Sequence, residues 1–525
     1  MIDVPSRLTE LIDLPRAWRR VWRDRSTDFV VPPLAYTAIN ARADEFLALL
    51  GAELDSGRYR PSSVRVFEVP KPNHTTRPAG ILDIKDRILY QALVDRVAAV
   101  ADSKLLREPT VFGFRVNTDD DSDRFLLPGG FSEFRERVAV EHTSGHSYLL
   151  ESDISAYFEC IEPRILQEAV LDLGVNASLA EVLTRLLEHW NRLIPIGLPQ
   201  GAWPSDFLGA RVYLDRVDKA MLLKRHRFFR YSDDIRVAAK SRLALRLALK
   251  DLVVQLRAVG LHVQSAKTKI LGPQATERSI RRLHERLARR EDLAQLLDLD
   301  PYGYTSAEET LLELTETEIT QSESLLDALM EEAYGDGSAP DFELCRTCIT
   351  GYRRIKSVGG LDKAIILLSK LPAMTRDLVR YLRLICASET ATRIKNSGIS
   401  VLRHNATIYG WQKHWLLYLL NAPPISSRLS PGELEYIFGL SVDRNVEWPV
   451  RVMAIRVLGT RGDDAKLREL KNLYEGESDV DVRHAVLAAI SRLSRPQVRS
   501  FYRLCEGADS QTDIVIAYQK GRLSM

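Results

Sequence analysis

Three acidic residues stand out for the chemistry that they could perform together. Asp153 follows the apolar run of HSYLLESD, and Asp233 and Asp234 form an adjacent pair between the apolar runs of HRFFRYSDDIRVAA. Adjacent side chains of a strand point to opposite faces, so both members of a pair can reach one site only near a tight turn. Carboxylates suit divalent cations, and two such cations about 4 Å apart serve phosphoryl transfer to a hydroxyl. Because a lone Asp-Asp pair is also typical of a solvated turn, the surrounding segments must decide.

The segments that carry these acids have the patterns of rigid elements. HSYLLESDISAYFECI predicts an apolar strand that ends in acidic residues and is followed by a helix from Glu162. HRFFRYSDDIRVAAKS predicts a hairpin with Ser232, Asp233 and Asp234 at its turn. RLALRLALKDLVVQLRAVGL has helical spacing and ends at Gly260, a residue type that commonly ends helices. A strand end beside a tight turn would bring the three carboxylates together.

The pattern of the chain changes after Gly272. Before it, helical stretches over residues 1–60 are followed by a strand, a loop and a strand in VRVFEVPKPNHTTRPAGILDI and by a helix in KDRILYQALVDRVAAVADSKLL. This alternation predicts an α+β domain. After it, PVRVMAIRVLGTRG resembles DVRHAVLAAISRL, with Arg451 and Arg483 in matching places 32 positions apart. A repeat of that length made of paired helices is typical of an α-solenoid.

The bulk composition describes a soluble globular protein of several domains. The 525 residues are 45% hydrophobic and 27% charged, and the net charge is +2. That charge is small for a protein that grips a long duplex, so a nucleic-acid site must be a local basic lining. The N-terminus is charged throughout, unlike a signal peptide, and no stretch reaches the roughly 18 apolar residues that span a bilayer. We therefore expect a cytoplasmic protein that does not enter a membrane.

The cysteines and one basic run are each compatible with a functional role and with a purely structural one. The five cysteines are scattered, which argues against a disulfide framework, and Cys345 and Cys348 form one C-x-x-C without a second ligand pair. We interpret these two as small apolar residues of a helix rather than as a zinc or redox site. A basic run after residue 272 could line a nucleic-acid path or form a solvated helix face. Its members are Arg278, Arg281, Arg282, Arg286, Arg289 and Arg290.

A series of segments over residues 60–272 resembles the conserved blocks of reverse transcriptases, in the order of that family. KPNHTTRPAGILDIKDRILYQAL resembles the fingers segment, and VFGFRVN is similar to the GFR block. SDISAYF resembles motif A, GLPQGAWPSDFLGARVYLDRVD motif B, and YSDD motif C. GLHVQSAKTKILG is similar to motif D and the start of the grip segment. Motif C carries Ser232 where the family usually has Ala, Met or Val, which changes packing but no ligand.

The resemblance implies a fold and its division into domains. The fold class is α+β: a right-hand polymerase with reverse-transcriptase fingers and palm, followed by an all-α HEAT-like helical repeat domain. We place an N-terminal helical extension at 1–60, the fingers and palm at 61–275, and the helical repeat domain at 276–525. The HEAT-like interpretation rests on the segment DVDVR, in which Asp479, Asp481, Val482 and Arg483 resemble the start of the second helix of a HEAT repeat.

The same resemblance assigns catalytic roles. Asp153 and Asp233 would bridge two Mg²⁺ ions, a role that Mn²⁺ can also fill, and Asp234 would be a supporting ligand. Lys267 would protonate the departing pyrophosphate or bind phosphate, and Lys269 is a second candidate for this role.

The resemblance also indicates a nucleotide site. Lys71 and Arg77 of the fingers would clamp the triphosphate of a dNTP, because arginine is suited to a bidentate phosphate grip. The alternative is a basic surface loop. Gln200 and Gly201 would let the backbone approach the nucleotide, since glycine has no Cβ. Phe158 lies where reverse transcriptases keep an aromatic gate against the ribose 2′-hydroxyl, and the alternative is a core aromatic ring.

A reverse transcriptase joined to a HEAT-like domain resembles the bacterial abortive-infection enzymes, the AbiK-like group. That resemblance implies template-independent, protein-primed synthesis of single-stranded DNA that becomes covalently attached, in defence against phage, by a homo-oligomer. Tyr36 is our candidate for the priming residue, with a buried ring as the alternative. Two other functions stay open: a template-copying enzyme of the retron or group II intron type, and a binding scaffold with an inactive polymerase fold. The intact acids at Asp153, Asp233 and Asp234 speak against the scaffold.

Overall fold

The computed structural model describes residues 8–119, 122–281, 315–334 and 340–523. Its strands are β1 (Arg65–Pro70), β2 (Thr76–Ile81), β3 (Val111–Phe112), β4 (Tyr148–Ser152), β5 (Arg227–Tyr231), β6 (Asp234–Ala239) and β7 (Lys269–Leu271). The helices of the first half are Leu14–Asp24, Leu34–Asn40, Ala43–Asp55, Ile84–Ala101, Phe131–Thr143, Pro163–Asp172, Ala177–Trp190, Trp203–Phe207 with its π-helical continuation Leu208–Tyr213, Asp215–Leu223 and Arg242–Ala258.

A five-stranded sheet carries the segments with the candidate carboxylates. Its strand order is β3-β5-β6-β4-β7, and all neighbours are antiparallel except β3 and β5. The predicted hairpin is β5–β6, and the predicted apolar strand is β4, which lies beside it. The helix Arg242–Ala258 follows as expected, and Gly260 adopts the positive φ of 75° typical of a residue that ends a helix.

The two faces of this sheet are covered by different helices. Leu150 of β4 belongs to the large core that includes the helix Arg242–Ala258, whereas its neighbour Leu149 packs with the helix Phe131–Thr143. Strand side chains alternate between faces, so Glu151 lies on the same face as Leu149. The acidic end of β4 therefore continues the face that the helix Phe131–Thr143 partly covers.

The predicted strand–loop–strand of the fingers is a separate antiparallel hairpin, β1–β2, in which Pro70 pairs with Thr76. Its tip is closed by the backbone N–H of Lys71, which donates to Thr75 O at 2.7 Å. Each strand of this two-stranded hairpin pairs only with the other, so neighbouring elements must stabilise the hairpin.

The region after residue 315 is helical throughout the described ranges, as the pattern predicted. Its helices are Glu316–Tyr334, Phe342–Arg354, Leu361–Lys370, Thr375–Leu384, Ser388–Arg403, Gly410–Leu420, Pro423–Ser426, Pro431–Val442, Trp448–Arg461, Asp464–Leu473, Val480–Ala489, Arg495–Cys505 and Ser510–Arg522. The last six form three consecutive pairs, and the second helices of these pairs pack against one another. Arg282, Arg286, Arg289 and Arg290 of the predicted basic run lie outside the described residues.

The sequence similarity around Arg451 and Arg483 corresponds to a repeated contact. Arg451 pairs with Glu477, and Arg483 lies 3.6 Å from Asp509. Each arginine thus reaches an acidic residue 26 positions further along the chain, just before the second helix of the next pair. Neighbouring pairs are therefore joined in the same way, which is the behaviour of a repeat.

The helical region also holds the fingers hairpin at both ends. At its base, Arg65 donates to Asp479 at 3.0 Å and lies 2.7 Å from Asp481. At its tip, the hydroxyl of Tyr409 donates to His74 O at 2.8 Å. The fingers and the helical region are therefore in direct contact along the hairpin.

An N-terminal segment is fixed to the same region. Phe29 O accepts hydrogen bonds from the indole N–H groups of Trp411, at 2.7 Å, and Trp415, at 3.0 Å. Val31 N–H donates to His414 Nε2 at 2.9 Å. Burial lowers the pKa of His414 to about 4, so the ring is neutral and can accept this bond.

Two smaller expectations concern the membrane and the cysteines. No helix within the described ranges combines the length and apolar character needed to cross a bilayer. Cys345 and Cys348 are both buried in the helix Phe342–Arg354, and burial raises the pKa of the Cys345 thiol to about 11. They act there as small core residues, as interpreted from the sequence.

Candidate active site

The hairpin turn places the acidic pair at the end of the sheet. Tyr231 pairs with Asp234, so Ser232 and Asp233 form a two-residue turn. Ser232 has a φ of 51°, a positive value that such tight hairpin turns require and that serine adopts with strain. The turn therefore meets the condition under which both adjacent carboxylates can reach one site.

Asp153 is brought to the same place by the register of β4. Ser152 pairs with Ile235, so Asp153, the next residue, lies beside the start of β6. The backbone beyond the strand is fixed, because Gln264 N–H donates to Asp153 O at 2.7 Å and Ile154 bridges to Val263. Three carboxylates from two chain segments therefore lie together at one end of the sheet.

The electrostatics show that these carboxylates repel one another. Burial and the nearby charge of Asp153 raise the pKa of Asp233. Burial raises the pKa of Asp234 to about 6, and the neighbouring carboxylates add to this rise although Arg236 opposes it. Arg236 forms an ion pair with Asp234, and Lys267 Nζ lies 2.5 Å from Asp153 Oδ2. The cluster is thus one that needs cations beside it.

The donor set fits hard divalent ions. Carboxylate oxygens are the ligands that Mg²⁺ prefers, and the mutual repulsion of the three acids would be relieved by such ions. Within the described parts of the chain, no group of three or more His, Cys, Asp or Glu side chains is already arranged as a metal-binding cluster. Lys267 and Arg236 instead pair with carboxylate oxygens of Asp153 and Asp234.

Arg230 anchors the turn, a role that the sequence analysis did not predict. Its guanidinium is fully buried and forms a bidentate pair with Asp218, at 2.8 and 2.5 Å. Its remaining Nη1 donates to Ser232 O and to Ala210 O, both at 2.8 Å. This residue therefore ties the hairpin turn to the helical segment of motif B. The sequence signal was a charged residue within the otherwise apolar and aromatic run HRFFRY.

The predicted phosphate-binding residues lie on the fingers hairpin. Lys71 is at its tip, and Arg77 is on β2, opposite Val69. The charge of Arg77 interacts with that of Asp233. Burial lowers the pKa of Arg77, and its Nε is buried without a hydrogen-bond partner among the described residues. Arg77 is thus within electrostatic reach of Asp233 and keeps one guanidinium N–H without a hydrogen bond among the described residues.

The predicted motif B residues have neighbours of their own. Gln200 Nε2 lies 3.4 Å from Glu159 Oε1. Gly201 has a φ of 93°, and a Cβ there would lie 2.6 Å from the ring of Phe29. Glycine is therefore required at this position by the protein itself, because the aromatic ring fills the space that a side chain would take. Contact of Gln200 and Gly201 with a nucleotide stays a prediction.

Phe158 is half-buried beside the end of β4. Its ring contacts Tyr157 in an edge-on arrangement with centroids 5.3 Å apart, and a Cβ on Gly209 would lie 3.2 Å from it. Tyr157 is in turn fixed, because its hydroxyl donates to Gly209 O at 2.7 Å. The ring is therefore held rigidly, as a steric gate would have to be.

Two further candidate residues, Lys269 and Tyr36, make contacts with other parts of the protein. Lys269 begins β7 opposite Glu151, away from Asp153. Tyr36 is buried, and its hydroxyl accepts a hydrogen bond from Arg87 at 2.9 Å. It nevertheless lines the same cavity as Gln200.

Comparison with known proteins agrees with this geometry. Residues 69–283 match the family model described as reverse transcriptase (RNA-dependent DNA polymerase). They form a reverse transcriptase domain. Reverse transcriptases are nucleotidyltransferases of the DNA polymerase type, and the β4 end and the β5–β6 turn lie inside the matched range.

One curated protein and one solved structure are similar to parts of this chain. Protein YkfC of Escherichia coli (strain K12) is 26% identical over 189 residues, which are 35% of this chain and 47% of YkfC. The match thus spans about half the length of that curated relative. Among solved structures, the telomerase of Candida albicans, in complex with a TWJ fragment of telomeric RNA, aligns with a TM-score of 0.32 and 11% identity. That alignment covers 68% of this chain and 66% of the telomerase chain.

Proposed function

We propose that this protein is a DNA polymerase that joins deoxynucleotides at Asp153, Asp233 and Asp234. The observation that carries the proposal is the placement of these three mutually repelling carboxylates at one end of the sheet, where the charge of Arg77 interacts with that of Asp233. When bound, two divalent ions would activate the attacking hydroxyl and hold the triphosphate. Asp153 and Asp233 are the proposed bridging ligands, and Asp234 is the supporting one.

The residues around the acids then have distinct tasks. Arg77 grips phosphate, since its planar guanidinium can donate two parallel hydrogen bonds. Lys267 already lies 2.5 Å from Asp153, and its ammonium is mostly exposed. It is therefore placed to donate a proton to a departing pyrophosphate once other cations balance Asp153. The rigid ring of Phe158 selects the sugar by leaving no room for a 2′-hydroxyl.

We further propose that synthesis is template-independent and protein-primed. This proposal is supported by the protein's own groups beside the nucleotide segments. The ring of Phe29 fills the space next to Gly201, and Tyr409 contacts the fingers tip at His74. The net charge of +2 adds little attraction for a duplex.

Tyr36 is kept as the proposed priming residue because it lines one cavity with Gln200 and Gly201. Its hydroxyl accepts a hydrogen bond from Arg87, and burial raises its pKa above the ordinary value. A phenol held in this way is a poor nucleophile, so priming there requires the Arg87 contact to open. Tyr36→Phe tests the assignment directly, because it removes only the hydroxyl.

The biological setting that we propose is abortive-infection defence against phage, by a homo-oligomer with a HEAT-like helical domain. It is supported by the three stacked helix pairs and by the repeated pairing of Arg451 and Arg483. Expression of the wild type and of Asp233→Ala in phage-challenged bacteria tests the role. Equal plaque formation on both strains would contradict it, and a single monomeric species in light scattering would contradict the oligomer.

A template-copying RNA-directed DNA polymerase, of the retron or group II intron type, is the second candidate. It is favoured by the description of the matching family, which names RNA-dependent synthesis. Labelled dNTPs with Mg²⁺ separate the two, with and without an added RNA template and primer. Label that appears without template and migrates with the protein supports the first function. Strict dependence on template and primer supports the second.

A further inference from the structure

A cluster of arginines lies where the helical region meets the polymerase domain. Arg346 is on the helix Phe342–Arg354, and Arg376 is on the helix Thr375–Leu384. Both reach the same carboxylate, with Arg346 Nε 3.3 Å and Arg376 Nε 3.7 Å from Asp377. Their side chains are 31% and 21% exposed, so a solute can still reach them.

The charges of the arginines in this cluster act on one carboxylate and on one another. Asp377 is surrounded by Arg376, Arg346, Arg380 and Arg353, and their charges outweigh its burial and lower its pKa. The pKa of Arg376 is lowered by burial and by the neighbouring charges of Arg346 and Arg353. Guanidinium groups held close together in a half-buried place are destabilised, and an anion that joins them removes that penalty.

Arg77 links this cluster to the catalytic carboxylates. Its charge interacts with the charges of Asp233, Arg376 and Arg346. The helical region lies directly against the fingers here, since the turn Pro372–Met374 contacts β1. Arg77 is therefore within electrostatic reach of both Asp233 and the arginines of the helical region.

We propose that Arg346, Arg376 and Arg77 form one phosphate-binding site that receives the triphosphate of the incoming nucleotide. This inference rests on the proposed polymerase function and adds that the helical region supplies part of the nucleotide site. A triphosphate concentrates several negative charges within a few ångströms, which matches guanidinium groups that lie close together. A polynucleotide strand carries one negative charge per nucleotide along its length, so it would match an extended groove better. Arginine also gives the bidentate contacts that phosphate groups favour.

The test measures binding in the absence of divalent metal, so that it does not depend on the acidic residues. The probes are inorganic tripolyphosphate and a single-stranded poly-dT oligonucleotide, titrated into the full-length protein by calorimetry. The variants are Arg346→Gln, Arg376→Gln and the pair together. Arg393→Gln is the matched control, because Arg393 is an exposed arginine of the helical region that pairs with Asp362.

We expect each variant to bind tripolyphosphate roughly tenfold more weakly, the loss of one charge-assisted contact. Poly-dT binding and the control should not change, and the KM for dNTP should rise in the variants. Arg346→Gln, at the more exposed position, keeps the test valid should Arg376→Gln fail to fold.

Two outcomes would overturn the inference. Unchanged tripolyphosphate binding in both variants refutes a phosphate site at these arginines. Weakened poly-dT binding with unchanged tripolyphosphate binding refutes the triphosphate as occupant and assigns the strand backbone instead. The proposed function fails separately: a wild type that incorporates no nucleotide, but whose tripolyphosphate binding still depends on Arg346 and Arg376, would refute only the polymerase assignment.

Discussion

Replacing Arg230 should separate the stability of the palm from the positioning of its catalytic turn. The guanidinium is 1% exposed, donates twice to Asp218 and donates once each to Ser232 O and Ala210 O. Arg230→Ala leaves the buried carboxylate of Asp218 without its partner. Breaking a buried pair in this way costs about 3–5 kcal/mol. For a domain of this size we expect the melting temperature to fall by roughly 10 °C.

A double replacement, Arg230→Met with Asp218→Leu, is the informative companion. It removes both charges and fills the space with apolar atoms, so most of the lost stability should return. The carbonyl of Ser232 still lacks its donor, and the turn that carries Asp233 is no longer fixed. We therefore expect a melting temperature near that of the wild type, together with a fall in the nucleotide incorporation rate of at least tenfold.

The assay combines thermal unfolding with the incorporation of labelled dNTP. Lys219→Ala is a suitable control, since Lys219 pairs with Asp215 on the same helix as Asp218 but is 45% exposed. Exposed pairs contribute roughly 0–1 kcal/mol, so this variant should change neither quantity much. A double variant that is folded and polymerises at the wild-type rate would refute the idea that Arg230 positions the turn.

Three other changes follow from particular contacts. Phe158→Val should admit ribonucleotides by removing the rigid ring, and a wild type that uses both sugars equally would contradict the gate. Deletion of residues 441–525 removes both acidic partners of Arg65 and exposes an apolar face, so light scattering should detect aggregation; a soluble, fully active truncation would count against this. The pKa of His414, lowered from 6.5 to about 4, makes its contribution fully present above pH 6.5 and lost as the pH falls toward 4. This contribution is roughly 3 kcal/mol, and His414→Gln should flatten the pH dependence of the melting temperature over that window.

The local elements of the polymerase domain could be predicted from the sequence because their signals are local. Apolar runs predicted β4, β5 and β6, and a tight turn between two of these runs placed Asp233 and Asp234. The resemblance to ordered family blocks then indicated that Asp153 joins them. The family match over residues 69–283 confirms the reverse-transcriptase interpretation.

Contacts between distant parts of the chain could not be predicted in this way. No periodicity or spacing in the sequence signals these contacts. Examples are the pairing of Arg230 with Asp218, the packing of Phe29 on Gly201 and the electrostatic interaction of Arg376 with Arg77. They arise when separate elements pack, and a charged residue in a strand does not reveal its partner. The ion pairs of Lys267 and Arg236 at the carboxylates are of the same kind.

Nucleotide incorporation by the wild type and by Asp233→Asn tests the central claim most directly. The asparagine keeps the size of the side chain and removes the charge that a divalent ion needs. Purified, folded proteins would be incubated with labelled dNTPs and Mg²⁺, both with and without a template and primer. We predict incorporation by the wild type in at least one of these mixtures and a loss of at least about hundredfold in the variant, because a metal ion at such a site stabilises the transition state by several kcal/mol. Equal incorporation by the two proteins would contradict the assignment of the active site.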